Sequence, residues 1–111
     1  MRIGILGGTG PAGKALAARL ASVGFDVVVG SRSKYRAMEV VDNLLEQWPD
    51  RSLTIGAGDN TGAADTDVVV IATPWDGATQ TAVSVEDRLR GKIVISMANA
   101  LTKLGKEFQP L

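Results

Sequence analysis

The chain has 111 residues and no net charge, because 12 basic side chains are balanced by 12 acidic ones. This balance argues against nucleic acid or an anionic membrane as a partner. The lack of cysteine and histidine excludes disulfides, thiolate nucleophiles, cysteine-ligated zinc and imidazole general bases. No apolar run is long enough for a signal peptide or a membrane span. We therefore expect one soluble, cytoplasmic domain over residues 1–111.

The first predicted elements are a strand and a helix. RIGIL at 2–6 is apolar and nearly continuous, as in a strand that is covered on both faces. Pro11 suits the first turn of a helix, and Gly24 suits its end. The apolar positions expected on one face of this helix are Leu16, Leu20 and Val23.

A second strand and helix follow in the same order. FDVVVG at 25–30 is the second predicted strand. Ser33 can cap the next helix, and Pro49 ends it. The residues expected to share its apolar face are Met38, Val41 and Leu45.

The second half of the chain repeats the alternation less regularly. SLTIG at 52–56 is a weaker strand, and TGAAD at 61–65 allows a turn or a short helix. DVVVIAT at 67–73 and KIVIS at 92–96 are further strands, with a helix expected within 75–89. The order predicts an α/β fold, namely a Rossmann-type doubly wound parallel sheet of about five strands with flanking helices.

The turn between the first strand and the first helix is rich in glycine. The segment GTGPAG at 8–13 fits G-x-G-x-x-G, the pattern of a dinucleotide-binding turn. Gly8 permits the tight turn, Gly10 lets the backbone approach a diphosphate, and Gly13 lets the helix pack close to the strand. The cofactor-binding residues predicted here are Gly8, Thr9, Gly10, Pro11, Ala12 and Gly13.

Two alternatives remain open for this turn. The same letters also fit G-x-x-G-x-x-G from Gly7 to Gly13, a spacing that some other dinucleotide folds use, and a purely structural turn is the alternative to nucleotide binding. If an anion binds, it rests on N–H groups at the helix N-terminus. Because Pro11 has no N–H, the donors are expected from Thr9, Gly10 and Ala12.

The end of the second strand indicates which dinucleotide would bind. An NAD site needs a carboxylate there for the ribose hydroxyls, yet no acidic residue lies between Asp26 and Glu39. A 2′-phosphate suits this segment, because guanidinium groups bind phosphate bidentately; Arg32 can also stack on the adenine. The alternative is a solvated basic start of a helix. The polar and basic residues here are Ser31, Arg32, Lys34 and Arg36, and they predict NADP rather than NAD.

The later strands deliver residues to the same edge of the sheet. The fourth strand ends with Thr73, Pro74 and Trp75, and Thr79 follows one helical turn later. Ligands of such sheets lie beyond the carboxyl ends of the strands, so these residues are predicted to contact the cofactor. Asn99 after the fifth strand is a further candidate contact. A tryptophan after a strand is also often part of a core or an interface.

The side chains offer no obvious catalytic group and no metal site. Tyr35 is the only tyrosine, and Glu39 occupies the position where a Tyr-x-x-x-Lys pair would have its lysine. Asp76 and Asp87 are isolated carboxylates. If the protein transfers a hydride, the cofactors carry the chemistry and the protein aligns them.

Three segments together resemble a known family. The sequences at 1–33, 72–78 (ATPWDGA) and 91–96 (GKIVIS) are similar to the amino-terminal domain of the NADP-dependent coenzyme F-420 oxidoreductases. The resemblance implies reversible hydride transfer between NADP(H) and the deazaflavin F-420. It also implies that the cofactor phosphates contact a loop formed by Thr9, Gly10, Pro11 and Ala12. The 2′-phosphate would contact Ser31, Arg32 and Arg36, and the Pro-Trp contact region would be Pro74 and Trp75.

The resemblance also leaves alternatives. Members of that family continue into a region that helps complete the deazaflavin pocket and the dimer, whereas this chain stops at KEFQPL (106–111). We therefore expect either a piece of a longer protein or a partner chain that supplies the missing wall. An open edge on the fifth strand favours a homodimer. The rival functions are a non-catalytic NADP-binding module and the NADP-binding domain of an imine or pyrroline-5-carboxylate reductase.

Overall fold

The computed structural model describes residues 1–49, 52–73, 75–97, 101–104 and 107–110, with only the backbone at 75, 76, 101–104 and 107–110. Five parallel strands form one sheet, which confirms the predicted fold class. Their bounds are β1 (Arg2–Leu6), β2 (Asp26–Ser31), β3 (Ile55–Asp59), β4 (Val68–Ile71) and β5 (Ile93–Ser96). The strand order β3-β2-β1-β4-β5 reverses direction between β1 and β4.

Helices cover the two faces of this sheet and divide the core into two layers. Five helices occur in the described residues: α1 (Pro11–Ser22), α2 (Lys34–Gln47), α3 (Asn60–Ala64), α4 (Trp75–Ser84) and α5 (Glu86–Leu89). The first two pack with one face of the strands, around Ile5, Val27 and Val29. The other three pack with the opposite face, around Leu6 and Val69.

None of these described helices is both long and apolar enough to cross a membrane.

The most deeply buried side chains of α1 are small, and the predicted leucines pack beside them. Gly13, Ala17 and Ala21 are its buried residues, whereas Leu16 and Leu20 are only half-buried and Val23 is exposed. The predicted apolar face is therefore confirmed at Leu16 and Leu20, which pack against the core, and was wrong at Val23. The small buried residues let the helix axis come close to the strands. The predicted ends are confirmed: Pro11 begins the helix, and Gly24 follows it at φ +99.

The helix α2 begins at the predicted cap but buries a slightly different face. Ser33 Oγ accepts a hydrogen bond from the Arg36 N–H at 3.3 Å, as an N-cap should. Met38 is exposed and Leu45 only half-buried, so the predicted face was off by one position. The residues that α2 buries are Ala37, Val40, Val41 and Leu44.

Three features of the second half differ from the sequence prediction. The third strand lies at Ile55–Asp59 instead of 52–56, because pairing with β2 keeps its glycine-rich GAGD segment extended. The helical region at 75–89 is two helices, because Val85 leaves helical geometry and is buried in the core. An unpredicted antiparallel pair, β6 (Leu101–Leu104) and β7 (Glu107–Pro110), follows the sheet.

The strand β5 forms one edge of the sheet and is exposed along its whole length. Ile93, Val94 and Ile95 are 63%, 41% and 50% exposed. Self-association through this edge stays a prediction.

One glycine in β1 allows α3 to approach the sheet. A Cβ at Gly4 would collide with the carbonyl oxygen of Ala63 and lie 2.7 Å from Thr66 Oγ1. We expect Gly4→Ala to lower the free energy of unfolding by about 2 kcal/mol or more, because the backbone of α3 cannot move aside cheaply. Urea denaturation measures this loss.

The matched control is Gly56→Ala in β3. The nearest atom to a Cβ at Gly56 is the Val27 carbonyl oxygen at 4.0 Å, so the free energy of unfolding should stay the same or rise slightly. Equal losses in the two variants would contradict the steric argument.

Candidate functional site

The candidate site lies at the carboxyl edge of the sheet, where the strand order reverses. In open parallel sheets a ligand binds in the crevice at this point. Leu6 and Ile71 end β1 and β4 as neighbours in the register, and the two chain segments that follow them flank the crevice. These segments are the glycine loop, defined as Gly7–Gly13, and the turn that begins at Ala72.

The start of the glycine loop is fixed by hydrogen bonds within the protein. Gly7 has φ +62, and its N–H donates to Oδ1 of Asn60 at 3.1 Å. The Gly8 N–H donates to the carbonyl oxygen of Gly30 at 2.9 Å. These two N–H groups therefore shape the loop and are not free for a ligand.

The fold itself requires glycine at the outer positions of the loop. A Cβ at Gly7 would collide with the Thr73 methyl group, and one at Gly13 would lie 2.6 Å from the Gly8 Cα. The predicted role of Gly13, close packing of helix on strand, agrees with this contact. The fold constrains Gly7, Gly8 and Gly13, so it does not distinguish between the pattern that begins at Gly7 and the one that begins at Gly8.

The fold does not require glycine at position 10. A Cβ at Gly10 would meet no atom within 4 Å, and its backbone has φ −80, which any residue adopts. Gly10 is also the N-cap of α1 without a side-chain cap, at a position where serine or aspartate would stabilise the helix. Packing does not explain this glycine, whereas close approach of a ligand to the backbone does.

The N-terminus of α1 is suited to an anion. The helix has Pro11 at its first position and no acidic residue in its first turn. In the part of the chain that the structure describes, the N–H groups of Thr9, Gly10 and Ala12 donate to no protein acceptor outside the helix. These are the donors that the sequence predicted. Together with the helix dipole they form an anion-binding surface.

The end of β2 brings the predicted basic residues to the same edge. Ser31 is half-buried, and its Oγ accepts from the Ser33 N–H at 3.3 Å. Arg32 is exposed and has no ion pair with any described residue. Arg36 instead pairs with Glu39 at 3.6 Å on the surface of α2, so only part of its charge is available to a ligand.

Sequence reasoning missed two residues that the end of β3 brings to the site. Asp59 lies opposite Ser31 in the register, with Oδ1 accepting from the Gly62 N–H at 2.8 Å. Asn60 follows it and contacts Gly7. Because the predicted strand ended at 56, the sequence analysis assigned these two residues no place at this edge. The GDN sequence directly after a strand was the signal that could have located them.

The segment after β4 leaves one polar group without a partner. The Oγ1 atom of Thr73 is buried and has no hydrogen-bond partner in the described structure. Trp75 begins α4, and Thr79 is exposed in the same helix. Pro74 and Asn99, both predicted contacts, lie outside the described residues.

The described side chains provide little catalytic chemistry of their own. They include no group of three or more acidic residues that could hold a metal ion, and the sequence has no histidine or cysteine. What the described site offers is a set of N–H groups and a guanidinium group that can bind and orient an anionic ligand.

The sequence matches the family model described as "NADP oxidoreductase coenzyme F420-dependent" over residues 2–100. An F420-dependent NADP reductase from Methanothermobacter thermautotrophicus is 35% identical over 96 residues, which cover 86% of this chain and 41% of that protein. This chain thus spans less than half the length of that curated relative.

Solved structures show the same architecture. A protein from Arthrobacter sp. FB24, assigned as an F420-dependent NADP reductase, matches with a TM-score of 0.79 and 25% identity over 99% of this chain and 50% of that chain. A pyrroline-5-carboxylate reductase from Coxiella burnetii matches with a TM-score of 0.59 and 25% identity over 91% of this chain and 36% of that chain. Because the family model covers nearly the whole sequence, this chain belongs to the family of coenzyme F420-dependent NADP oxidoreductases.

Proposed function

We propose that this chain is the NADP-binding part of an oxidoreductase that transfers a hydride between NADP(H) and coenzyme F420. The observation that carries the proposal is the unexplained glycine at position 10, which leaves an open space against the free N–H groups at the start of α1. Family membership supports the choice of ligands, and the curated relative is named an F420-dependent NADP reductase.

The diphosphate would be held by main-chain groups of the glycine loop. The N–H groups of Thr9, Gly10 and Ala12 are its donors, and the positive end of the α1 dipole favours its charge. Because Gly10 has no side chain, the phosphate oxygens can come within hydrogen-bonding distance of the backbone.

The 2′-phosphate would be held at the start of α2. Arg32 supplies a guanidinium group without a described ion pair, and Ser31 supplies a hydroxyl. The carboxylate of Asp59 lies opposite Ser31 and opposes this charge, but its Oδ1 is committed to the N-terminus of α3. A phosphate therefore meets a net positive surface formed by Arg32, Arg36 and the α2 N-terminus.

The hydroxyl of Thr73 would serve the half of the cofactor that passes β4. A buried hydroxyl without a hydrogen bond costs about 1–3 kcal/mol, and a polar group of a bound dinucleotide that reached Thr73 Oγ1 would remove that cost. Trp75, Pro74 and Thr79 are proposed to line the same region.

The catalytic role of the protein would be alignment. When both are bound, NADPH would supply a hydride to the oxidised deazaflavin, which would also take up one proton from solvent, and the reverse reaction would return the hydride to NADP⁺ and release that proton. No protein acid or base is needed for the hydride itself, which agrees with the absence of histidine and cysteine.

We expect Arg32→Ala to weaken NADPH binding about 10- to 100-fold, because one charge-assisted hydrogen bond contributes about 1.5–3 kcal/mol. NADH, which lacks the 2′-phosphate, should lose less than about twofold. Isothermal titration calorimetry with both nucleotides measures the difference.

Arg19→Ala is the matched control, because Arg19 is an exposed arginine in the last turn of α1. It should leave both affinities unchanged. Equal weakening of NADPH and NADH in Arg32→Ala would remove the 2′-phosphate from the proposal.

We expect Gly10→Ala to weaken NADPH and NADH about equally, by tenfold or more, because the methyl group fills the space meant for the diphosphate. The free energy of unfolding should change by less than about 1 kcal/mol, since the new Cβ meets no protein atom. Calorimetric binding and urea denaturation measure the two effects. Unchanged affinity would show that the open space at position 10 is not the diphosphate site.

Hydride transfer is tested by mixing the protein with NADPH and oxidised F420. We expect the visible absorbance of the deazaflavin to fall with time, and pyrroline-5-carboxylate as the acceptor should leave the NADPH absorbance constant. Tight NADPH binding without loss of deazaflavin absorbance would instead indicate a nucleotide-binding module.

A further inference from the structure

We propose that Asn60 is the positioning residue that fixes the glycine loop in the conformation that binds the dinucleotide. That the loop binds a dinucleotide rests on the proposed function, whereas the contact between Asn60 and the loop does not. Asn60 lies at the start of α3, 53 residues away from the loop in sequence. Neither the glycine motif nor the basic segment after β2 includes it.

The contact between Asn60 and the glycine loop is direct and largely buried. Oδ1 of Asn60 accepts the Gly7 N–H at 3.1 Å, and Asn60 is only 9% exposed. The same oxygen would lie 3.1 Å from a Cβ at Gly30, so the carboxamide packs across the end of β2 as well as against the loop. Asn60 thus bonds to the residue that follows β1 and lies beside Gly30 near the end of β2.

The backbone at Gly7 has a left-handed conformation. The Gly7 N–H follows the last residue of β1 and donates to Asn60 rather than to a strand carbonyl, and the φ of +62 at Gly7 turns the chain out of the strand direction directly after this N–H. The conformation at Gly7 then sets the path of Gly8 and Gly10. An acceptor that holds the Gly7 N–H therefore also sets where the free N–H groups of the loop point.

Neither of the neighbouring polar side chains, Asp59 and Thr73, replaces Asn60 as the acceptor for the Gly7 N–H. The Asp59 carboxylate is already the cap of α3, through its bond to the Gly62 N–H at 2.8 Å. Thr73, on the other side of Gly7, has its methyl group toward that residue. Losing the carboxamide would leave the Gly7 N–H without a protein acceptor, and the hydrogen bond that holds the left-handed turn would be lost.

This role differs in its effect from that of a nucleotide contact such as Arg32. The glycine loop is proposed to bind the diphosphate, which NADPH and NADH share. Loss of the loop conformation should therefore weaken both nucleotides by the same factor, whereas loss of Arg32 should weaken NADPH alone.

The experiment measures the loop and the binding separately. Hydrogen exchange of the Gly7 amide is followed by NMR without nucleotide, and the affinities for NADPH and NADH are measured by calorimetry. We expect Asn60→Ala to speed exchange at Gly7 about tenfold or more, with little change at the amides of Ile3 and Ile5. Both affinities should fall about tenfold, with their ratio unchanged. Thr61→Ala, at an exposed position of α3, is the control and should change nothing.

A second variant guards against a general loss of structure. Asn60→Asp keeps an acceptor oxygen for the Gly7 N–H, so exchange at Gly7 should stay within about threefold of the natural protein. If Asn60→Ala does not fold, fast exchange at Gly7 in Asn60→Asp while Ile3 stays protected would overturn the proposal.

The outcomes separate the two proposals. Unchanged exchange at Gly7 in Asn60→Ala, or faster exchange with unchanged nucleotide affinity, would overturn the positioning role. If the natural protein binds neither nucleotide, the proposed function fails, even if Asn60 is shown to hold the loop.

Discussion

The structure depends on the contact between two glycines at the start of α1. Because Gly13 lies against Gly8 with no room for a side chain, the first turn of the helix comes directly against the end of β1. This contact places the positive end of the helix dipole at the carboxyl edge of the sheet. It also separates two roles within one motif: the fold needs Gly8 and Gly13, whereas Gly10 is left open on the side away from the protein. A short loop can therefore be rigid and still present bare backbone.

Charge determines what that edge can bind. Both α1 and α2 begin without an acidic residue in the first turn, so neither helix dipole is balanced by its own sequence. At the start of α2 the nearby side chains add positive charge, and Arg32 has no described ion pair. An arrangement of this kind is electrostatically unfavourable unless an anion is present. The opposing charge of Asp59 is directed into the N-terminus of α3, where it stabilises that helix.

The sequence predicted those parts of the fold in which local pattern and packing agree. The β-branched runs of β1, β2, β4 and β5 lie within two residues of their predicted bounds, because their side chains favour strands. The side chains of β1, β2 and β4 are also mostly buried, whereas those of β5 are exposed. The third strand was misplaced, since glycines disfavour a strand locally and only pairing with β2 keeps them extended. The buried face of α1 was only partly predicted, because its most buried residues include the alanines Ala17 and Ala21 rather than the leucines. Asn60 could not be found from a local motif, because its role is a contact across 53 residues.

The two halves of the candidate site differ in how completely the described residues build them. On the side of β2 and β3, side-chain oxygens of Asn60, Asp59 and Ser31 accept hydrogen bonds from backbone N–H groups and hold the loops in place. On the side of β4 and β5, the Thr73 hydroxyl lacks a partner and the apolar side chains of β5 face solvent. Under the proposed function, the adenosine and diphosphate half would therefore account for most of the binding energy of the nucleotide. The nicotinamide half would depend on contacts that the described residues do not supply by themselves. A deazaflavin would have to meet the cofactor at this half of the site.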